Sequence, residues 1–333
     1  MRVLRKIVRR DVIGFCYHTV SDRQLPHIES LYRCKSVAQF RRDLDFLRRS
    51  YEVVGYHDLE RAPGSSNGKQ RAVITFDDGL VECHDVVRPL LVEYGLPAIF
   101  FITTDFLDNR RLFYRQKVAL CIESWSRLAG PEATAARNEI ARLFGSEVDS
   151  DQKLVARLQA ATLKEEPAID AACNTLGIDI DAYLRTVRPY LTALQVRTLA
   201  ADGFTIGAHG KSHERLGVMT EDEARAEIIS ACEAVSKIVP DARDGKVPFA
   251  FPFNGRGVKR EMMRTIRDTN PRVGLFFDST ELASEPGFVI NRLVVDDPAG
   301  ATERESNLPS RIRRAYAREI VRPLFPQHAR SNS

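Results

Sequence analysis

An α/β architecture is the class this sequence predicts, and three observations predict it. Short apolar runs of three to six residues recur along the chain and stop at polar or charged residues. Stretches with helical spacing and helix-start signals lie between them. Two of the runs, 72–76 (AVITF) and 98–102 (AIFFI), enclose one such stretch within about 30 residues, the size of a βαβ unit, so their strands are expected to be parallel. A closed barrel and an open sheet both satisfy this pattern.

Taken in order, residues 12–17 (VIGFCY) read as a buried strand, followed at once by His18. Residues 36–49 read as a helix. Ser36 and Gln39 form a capping-box pattern, and Phe40, Leu44 and Leu47 share one face. Residues 63–71 (PGSSNGKQR) form a loop, and 72–76 the next strand. Residues 82–94 suit a helix that Pro89 can kink, and 98–102 another strand. From 110 to 200 the chain is rich in Ala, Leu, Arg and Glu, which reads as a helical insertion placed at about 110–190. Residues 204–208 (FTIGA) are a strand ending at His209, and Thr220 to Val239 a helix opened by Thr220 with Glu223 and closed by Pro240. Further strands are expected at 248–252, 273–277 and 288–290, and no internal repeat or low-complexity segment is seen.

Composition bounds the function. The chain has 333 residues, 44% hydrophobic and 28% charged, enough for a sizeable core and unlike a disordered chain. No apolar run approaches the roughly 20 residues of a membrane helix. The start carries basic residues without a long apolar core, so no secretory signal is expected, and a cytoplasmic location follows. The net charge of +4 is uneven: residues 1–10 hold five basic groups and no acidic one, and 301–333 hold seven Arg against three acidic residues. The body between them is acidic, which argues against a nucleic-acid partner. The basic ends read as solvated termini, and they are also compatible with contact at the inner face of an anionic membrane. The six cysteines form no CxxC pair and are expected to be reduced and buried.

Three segments carry candidate chemistry. TFDDG, Thr75 to Gly79, lies where a strand ends, on the face where parallel α/β folds build their sites. Adjacent carboxylates point different ways, so one can hold a metal while the other acts as a base. By itself DDG is also an ordinary turn. HGKSH places His209 and His213 four apart just after a strand, a spacing that can bring both rings to one cation. With Asp78 they make a three-ligand set with positions open to water and substrate, the form of a catalytic metal site. FAFPFNGRG, Phe249 to Gly257, runs from a strand into a loop where Phe253 and Asn254-Gly255 can present N–H groups to an anion.

TFDDG, then H-x-x-x-H, then F-x-P-F-x-G, in this order on successive strands, resembles the polysaccharide deacetylase family, the NodB-homology domains of carbohydrate esterase family four. The flanks CYHTVSD and LTALQVRTLAADGFTIGAHGKSH resemble the same family. The resemblance covers about 11–300 and implies a distorted (β/α) barrel of the NodB type, with 301–333 as a basic C-terminal tail. It implies that Asp78, His209 and His213 bind one divalent metal, usually zinc, and that Asp77 is the general base. The backbone N–H of Phe253 would hold the oxyanion, with Asn254 and Arg256 beside the substrate. The substrate would be a carbohydrate: a polysaccharide, or a lipid-linked or nucleotide-linked sugar.

The chain also departs from the family. Ala250 stands where many members have the Arg that orients the base, and Arg256 or Arg292 are the candidates to replace it. The late segment Ile290 to Asp297 lacks the Leu-x-His acid, and the only His after His213 is His328. His18 is therefore the candidate acid. An O-acetyl esterase, another amide hydrolase on the same site, or a non-catalytic sugar-binding relative are the alternatives. The oligomeric state is not legible in the sequence.

Overall fold

The computed structural model describes residues 8, 10–60, 68–240, 245–283, 285–299 and 307–321. In chain order the elements are β1 (Val12–Tyr17), β2 (Tyr32–Arg33), α1 (Val37–Ser50), β3 (Glu52–Val53), α2 (Tyr56–Glu60), β4 (Arg71–Phe76), a π-helical turn Cys83–Val87 running into α3 (Arg88–Tyr94), and β5 (Ile99–Ile102). There follow α4 (Tyr114–Trp125), α5 (Gly130–Leu143), α6 (Asp151–Gln159), α7 (Glu166–Thr175), α8 (Ile180–Thr186) and α9 (Ala193–Ala201). The chain then forms β6 (Thr205–Ala208), α10 (Glu221–Ile238), β7 (Val247–Ala250), α11 (Arg260–Thr269), β8 (Val273–Asp278), β9 (Val289–Val294), β10 (Asp297–Pro298) and α12 (Leu308–Val321).

Seven parallel strands close into a barrel in the order β1, β9, β8, β7, β6, β5, β4 and back to β1. The barrel is distorted at β4: β3 pairs with its start at Arg71 and Ala72, and β5 with its end at Thr75 and Phe76. Strand alternation sorts the side chains. Tyr17, Phe76 and Phe100 stack across three neighbouring strands at 5.4 and 5.3 Å, and Phe40 of α1 meets the first two edge-on. Each such ring, fully buried, contributes about 2–3 kcal/mol of apolar burial. The expected caps form: Ser36 Oγ accepts from Gln39 N while Gln39 Oε1 accepts from Ser36 N, and Thr220 pairs with Glu223 in the same way.

The helices α4–α8 have a core of their own, built on Val118, Cys121, Ile140, Leu158, Ile169 and Cys173. A smaller cluster that includes Ile28, Leu80, Phe106 and Phe113 joins them to the barrel, with Tyr32, Tyr114 and Phe253 packed against it. All six cysteines are free thiols, five of them buried. No helix among the described residues is long and apolar enough to cross a membrane.

Several expectations change. Residues 308–321 of the expected basic tail form α12, which buries Leu308, Ile312, Ala315 and Tyr316 in the main core. Its apolar residues recur at helical spacing, and counting the arginines between them hid that face. The helix expected over 82–94 is a π-turn followed by α3, with Pro89 in the first turn of α3, where its missing N–H costs little. The strand expected at 288–290 runs on to Val294. The sequence reading missed β2, β3, β10, α2 and α11. Residues 63–67 of the expected loop, 1–7 and 9 of the basic start, and 301–306 and 322–333 of the expected tail, with His328, lie outside the described residues.

Candidate active site

Strand register assembles the site. β1 and β4 pair residue for residue up to Tyr17 opposite Phe76, so His18 and Asp77 leave the barrel side by side. Asp77 N–H still donates to Tyr17 O at 3.0 Å. Asp78 and Gly79 then both take positive φ, 71° and 78°, and the chain reverses. That reversal sends the two carboxylates to different neighbours. For Asp78, as for His213 (φ 60°) and Phe253 (φ 61°), a left-handed backbone costs about 1 kcal/mol or more. Three such residues gather in one place, and strain of this kind concentrates at functional sites.

β6 delivers the histidines. His209 Nδ1 lies 2.9 Å from the Ala250 carbonyl. A carbonyl can only accept, so Nδ1 carries the proton and the Nε2 lone pair is free. Burial holds this imidazole neutral by lowering its pKa to about 4. His213 is buried against the rings of Phe113 (4.5 Å), His209 (4.8 Å) and Phe253 (4.9 Å). Asp78 Oδ1 faces His213 Nε2 at 3.1 Å and His209 Nε2 at 3.5 Å. That oxygen is buried and makes no hydrogen bond. One ligand atom from each of Asp78, His209 and His213 lies within 4.8 Å of the others. Burial alone would raise the Asp78 carboxyl, but His213, then His18 and His209, hold it well below the ordinary carboxylate range. Lone pairs converging on an orphaned carboxylate oxygen fit a divalent cation, and the N,N,O donor set suits zinc.

Asp77 is held differently. Arg292 enters the barrel from β9 and is fully buried, its guanidinium 5.2 Å over the Phe101 ring. It grips Asp77 in a fork, Nη1 to Oδ1 at 2.6 Å and Nη2 to Oδ2 at 2.9 Å, and it also donates to Thr75 Oγ1 and Ser279 Oγ. Burial raises the Asp77 carboxyl, yet Arg292 and then His209 bring it below its ordinary value. Asp77 is thus ionised at neutral pH and fixed in orientation. Cys16 Sγ lies 3.3 Å from Asp77 Oδ2, and burial keeps that thiol protonated and donating. Cys16, His18 and Asp77 also group within 4.8 Å. They suit a metal poorly, because the carboxylate is taken by Arg292 and the sulfur keeps its proton. Arg256, the other candidate for the missing Arg, is exposed on its loop and makes no ion pair with Asp77.

His18 has its own partner. Asp296, just past β9, accepts from His18 N at 3.0 Å and meets His18 Nδ1 at 2.7 Å. Tyr32 lies against the ring at 4.9 Å. The antiparallel pair β2–β10 holds Tyr32 opposite Pro298 and Arg33 opposite Asp297, so one small ribbon braces both neighbours of His18. Burial would lower the His18 pKa, but the Asp296 hydrogen bond and then the Asp78 charge raise it to about 9. Asp296 was missed in the sequence. Its signal was a second strand followed by two carboxylates, VVDD, read there only for the histidine it lacks.

The third segment closes the site. Asp278 Oδ1 accepts from Gly255 N at 2.9 Å, and Arg260 bridges Asp278 and Glu285. Asn254 Oδ1 accepts from Arg256 N at 3.1 Å, so this side chain shapes its own turn. Phe253 N–H has no hydrogen-bond partner among the described residues. A cleft of about 510 Å³ adjoins Tyr32, with Ser21, Leu25, Ile28, Cys34 and Gln39 in its wall.

The family model for polysaccharide deacetylases matches residues 64–268. Among solved structures, the chain is similar to the deacetylase PplD of Streptococcus pyogenes in complex with acetate, at TM-score 0.54 and 11% identity over 90% of this chain and 97% of that one. It is similar to IcaB from Ammonifex degensii at TM-score 0.50 and 13% identity, over 92% and 97%. A polysaccharide deacetylase from Bacillus cereus matches at TM-score 0.51 and 15% identity, over 90% and 68%. At these identities the likeness is one of fold. No curated protein matches.

Proposed function

The chain belongs to the polysaccharide deacetylase family, and we propose that it is a metal-dependent hydrolase that removes N-acetyl groups from a carbohydrate. The observation that carries this reading is the buried Asp78 oxygen facing two imidazole nitrogens without a hydrogen bond. Asp78, His209 and His213 would hold the divalent metal, zinc by expectation, which supplies Lewis-acid polarisation of the acetyl carbonyl and acidifies water.

The chain's own residues supply the rest. Asp77, kept ionised and oriented by Arg292, takes a proton from the attacking water. The oxygen–carbon bond forms as the carbonyl becomes a tetrahedral oxyanion, and the unpartnered Phe253 N–H donates to that oxyanion. His18, protonated and held on Nδ1 by Asp296, gives a proton to the leaving nitrogen as the carbon–nitrogen bond breaks. The products are acetate and a free amine. This His18–Asp296 pair takes the place of the absent late histidine. An amide needs such an acid, since its nitrogen leaves poorly without a proton, which favours N- over O-deacetylation.

Metal per chain and acetate release test the reading together. The wild type should bind about one divalent metal, and His209→Ala little. Asp77→Asn should keep the metal and lose about 10²–10⁴ in kcat. Failure of the zinc-supplemented wild type to take up any metal would overturn the mechanism.

A further inference from the structure

Two arginines that the mechanism does not use share one aromatic ring beside the site. The Arg215 guanidinium carbon lies 4.9 Å from the centroid of Phe253, and that of Arg115 lies 5.7 Å from it. The same ring stands 4.9 Å from His213. The arginines come from different elements, Arg115 from the first turn of α4 and Arg215 from the loop after His213. Neither has an ion-pair partner among the described residues. Glu214 is the neighbouring carboxylate, and it reaches neither within ion-pair distance. The loop of Arg215 adjoins that of Arg256, since a Cβ on Gly217 would meet the Arg256 carbonyl oxygen at 1.9 Å. Two like charges on one ring, without a counter-charge, repel each other.

More donors face the same quarter. α4 has no side-chain cap at Phe113, and the N–H groups of Tyr114 and Arg115 have no partner among the described residues, so the positive end of that helix is open. His213 Nδ1 is buried without a partner, in a ring packed on both Phe113 and Phe253. With Nε2 turned to Asp78, Nδ1 is a donor lacking an acceptor.

We propose that the substrate is an anionic N-acetyl sugar, whose phosphate, diphosphate or carboxylate is held by Arg115 and Arg215 across Phe253. This rests on the hydrolase reading above and narrows its substrate. Cation–π contact with the ring holds the two guanidinium forks in place, and such forks match the oxygens of phosphate and carboxylate.

The test compares acetate release by the zinc-loaded full chain on four substrates. These are a neutral N-acetylglucosamine oligomer, a nucleotide-diphosphate N-acetyl sugar, a polyprenyl-diphosphate N-acetyl sugar in detergent, and an oligomer of an N-acetylated uronic acid. At least one anionic substrate should exceed the neutral one about tenfold or more in kcat/KM, chiefly through KM. Which one leads separates nucleotide, lipid and uronate sources. R115Q/R215Q should erase that preference, bringing kcat/KM for the anionic substrate down to that of the neutral oligomer, while R115K/R215K keeps part of it. Equal or better use of the neutral oligomer, or a preference that survives R115Q/R215Q, overturns the proposal. If no substrate releases acetate, the hydrolase reading fails separately. Calorimetric binding of inorganic pyrophosphate to the metal-stripped chain then decides: binding that R115Q/R215Q removes supports the anion site, and absent or unaltered binding overturns it.

Discussion

Arg292 reaches Asp77 across residue 14, and that residue is glycine. A Cβ there would lie 2.4 Å from Arg292 Cγ and 3.0 Å from the Asn291 carbonyl oxygen. The near end of the arginine and the paired backbone of β9 are both in the way, so the clash cannot be relieved at a flexible tip. Gly14→Ala should therefore tilt the fork off Asp77. We expect kcat to fall about 10²-fold with KM little changed, and stability to drop about 1–3 kcal/mol from overpacking. Steady-state kinetics with a denaturant titration checks this, and a wild-type kcat would show that the fork tolerates the shift. His18 gives a pH prediction. Its pKa, raised to about 9 from 6.5, keeps the ring protonated through neutral pH. The stability this lends is complete below about 6.5 and fades as pH rises through 9, and the acid is lost over the same range. The alkaline limb of kcat/KM in the metal-loaded enzyme should thus lie above the ordinary histidine value of about 6.5 and below 9. Bound metal offsets the pull of Asp78, and Asp296→Asn isolates the share due to the hydrogen bond. In that variant the limb should move toward the ordinary histidine range, and an unmoved limb would assign it to another group.

At the scale of elements, α12 is the one that composition misjudged. Arg311 on it donates to the Val294 carbonyl at 3.1 Å and pairs with Asp297, which also meets the buried Lys35 at 3.5 Å. Tyr316 Oη donates to Gln70 at 2.9 Å. The helix thus grips the segment that carries Asp296, from outside the barrel. Ile312 is fully buried, so Ile312→Ala should cost about 2–4 kcal/mol, read as a lower denaturant midpoint at constant m-value. A loss within about 0.5 kcal/mol would place α12 outside the core. The ribbon β2–β10 does similar work with two residues a side. Strands that short leave no periodicity to read, and their pairing joins segments more than 260 residues apart.

At the scale of the molecule, we propose one barrel unit of about 11–300 interrupted by the helices from Tyr114 to Thr186, with α12 added to its core. Those helices have a separate core, yet the cap and first turn of α4 bring Phe113, Tyr114 and Arg115 to the rim of the site. Much of this was legible in the chain. The apolar runs, the capping boxes at Ser36 and Thr220, and the order of TFDDG and HGKSH are local, and alternation in a strand or spacing in a helix is set by backbone geometry alone. The strand-end positions of Asp77, Asp78, His209 and His213 follow from the same local rules. Closure of the barrel did not follow from that pattern, which fits an open sheet equally well; the resemblance of the motifs implied it, and the closed sheet bears it out. Nor did the choice of Arg292 over Arg256, the pairing of His18 with Asp296, or the two arginines on Phe253. Each joins side chains far apart in sequence, and which of them meet depends on strand register and on which face turns inward. That is decided by packing the whole chain, where one glycine in β1 opens the path for an arginine from β9.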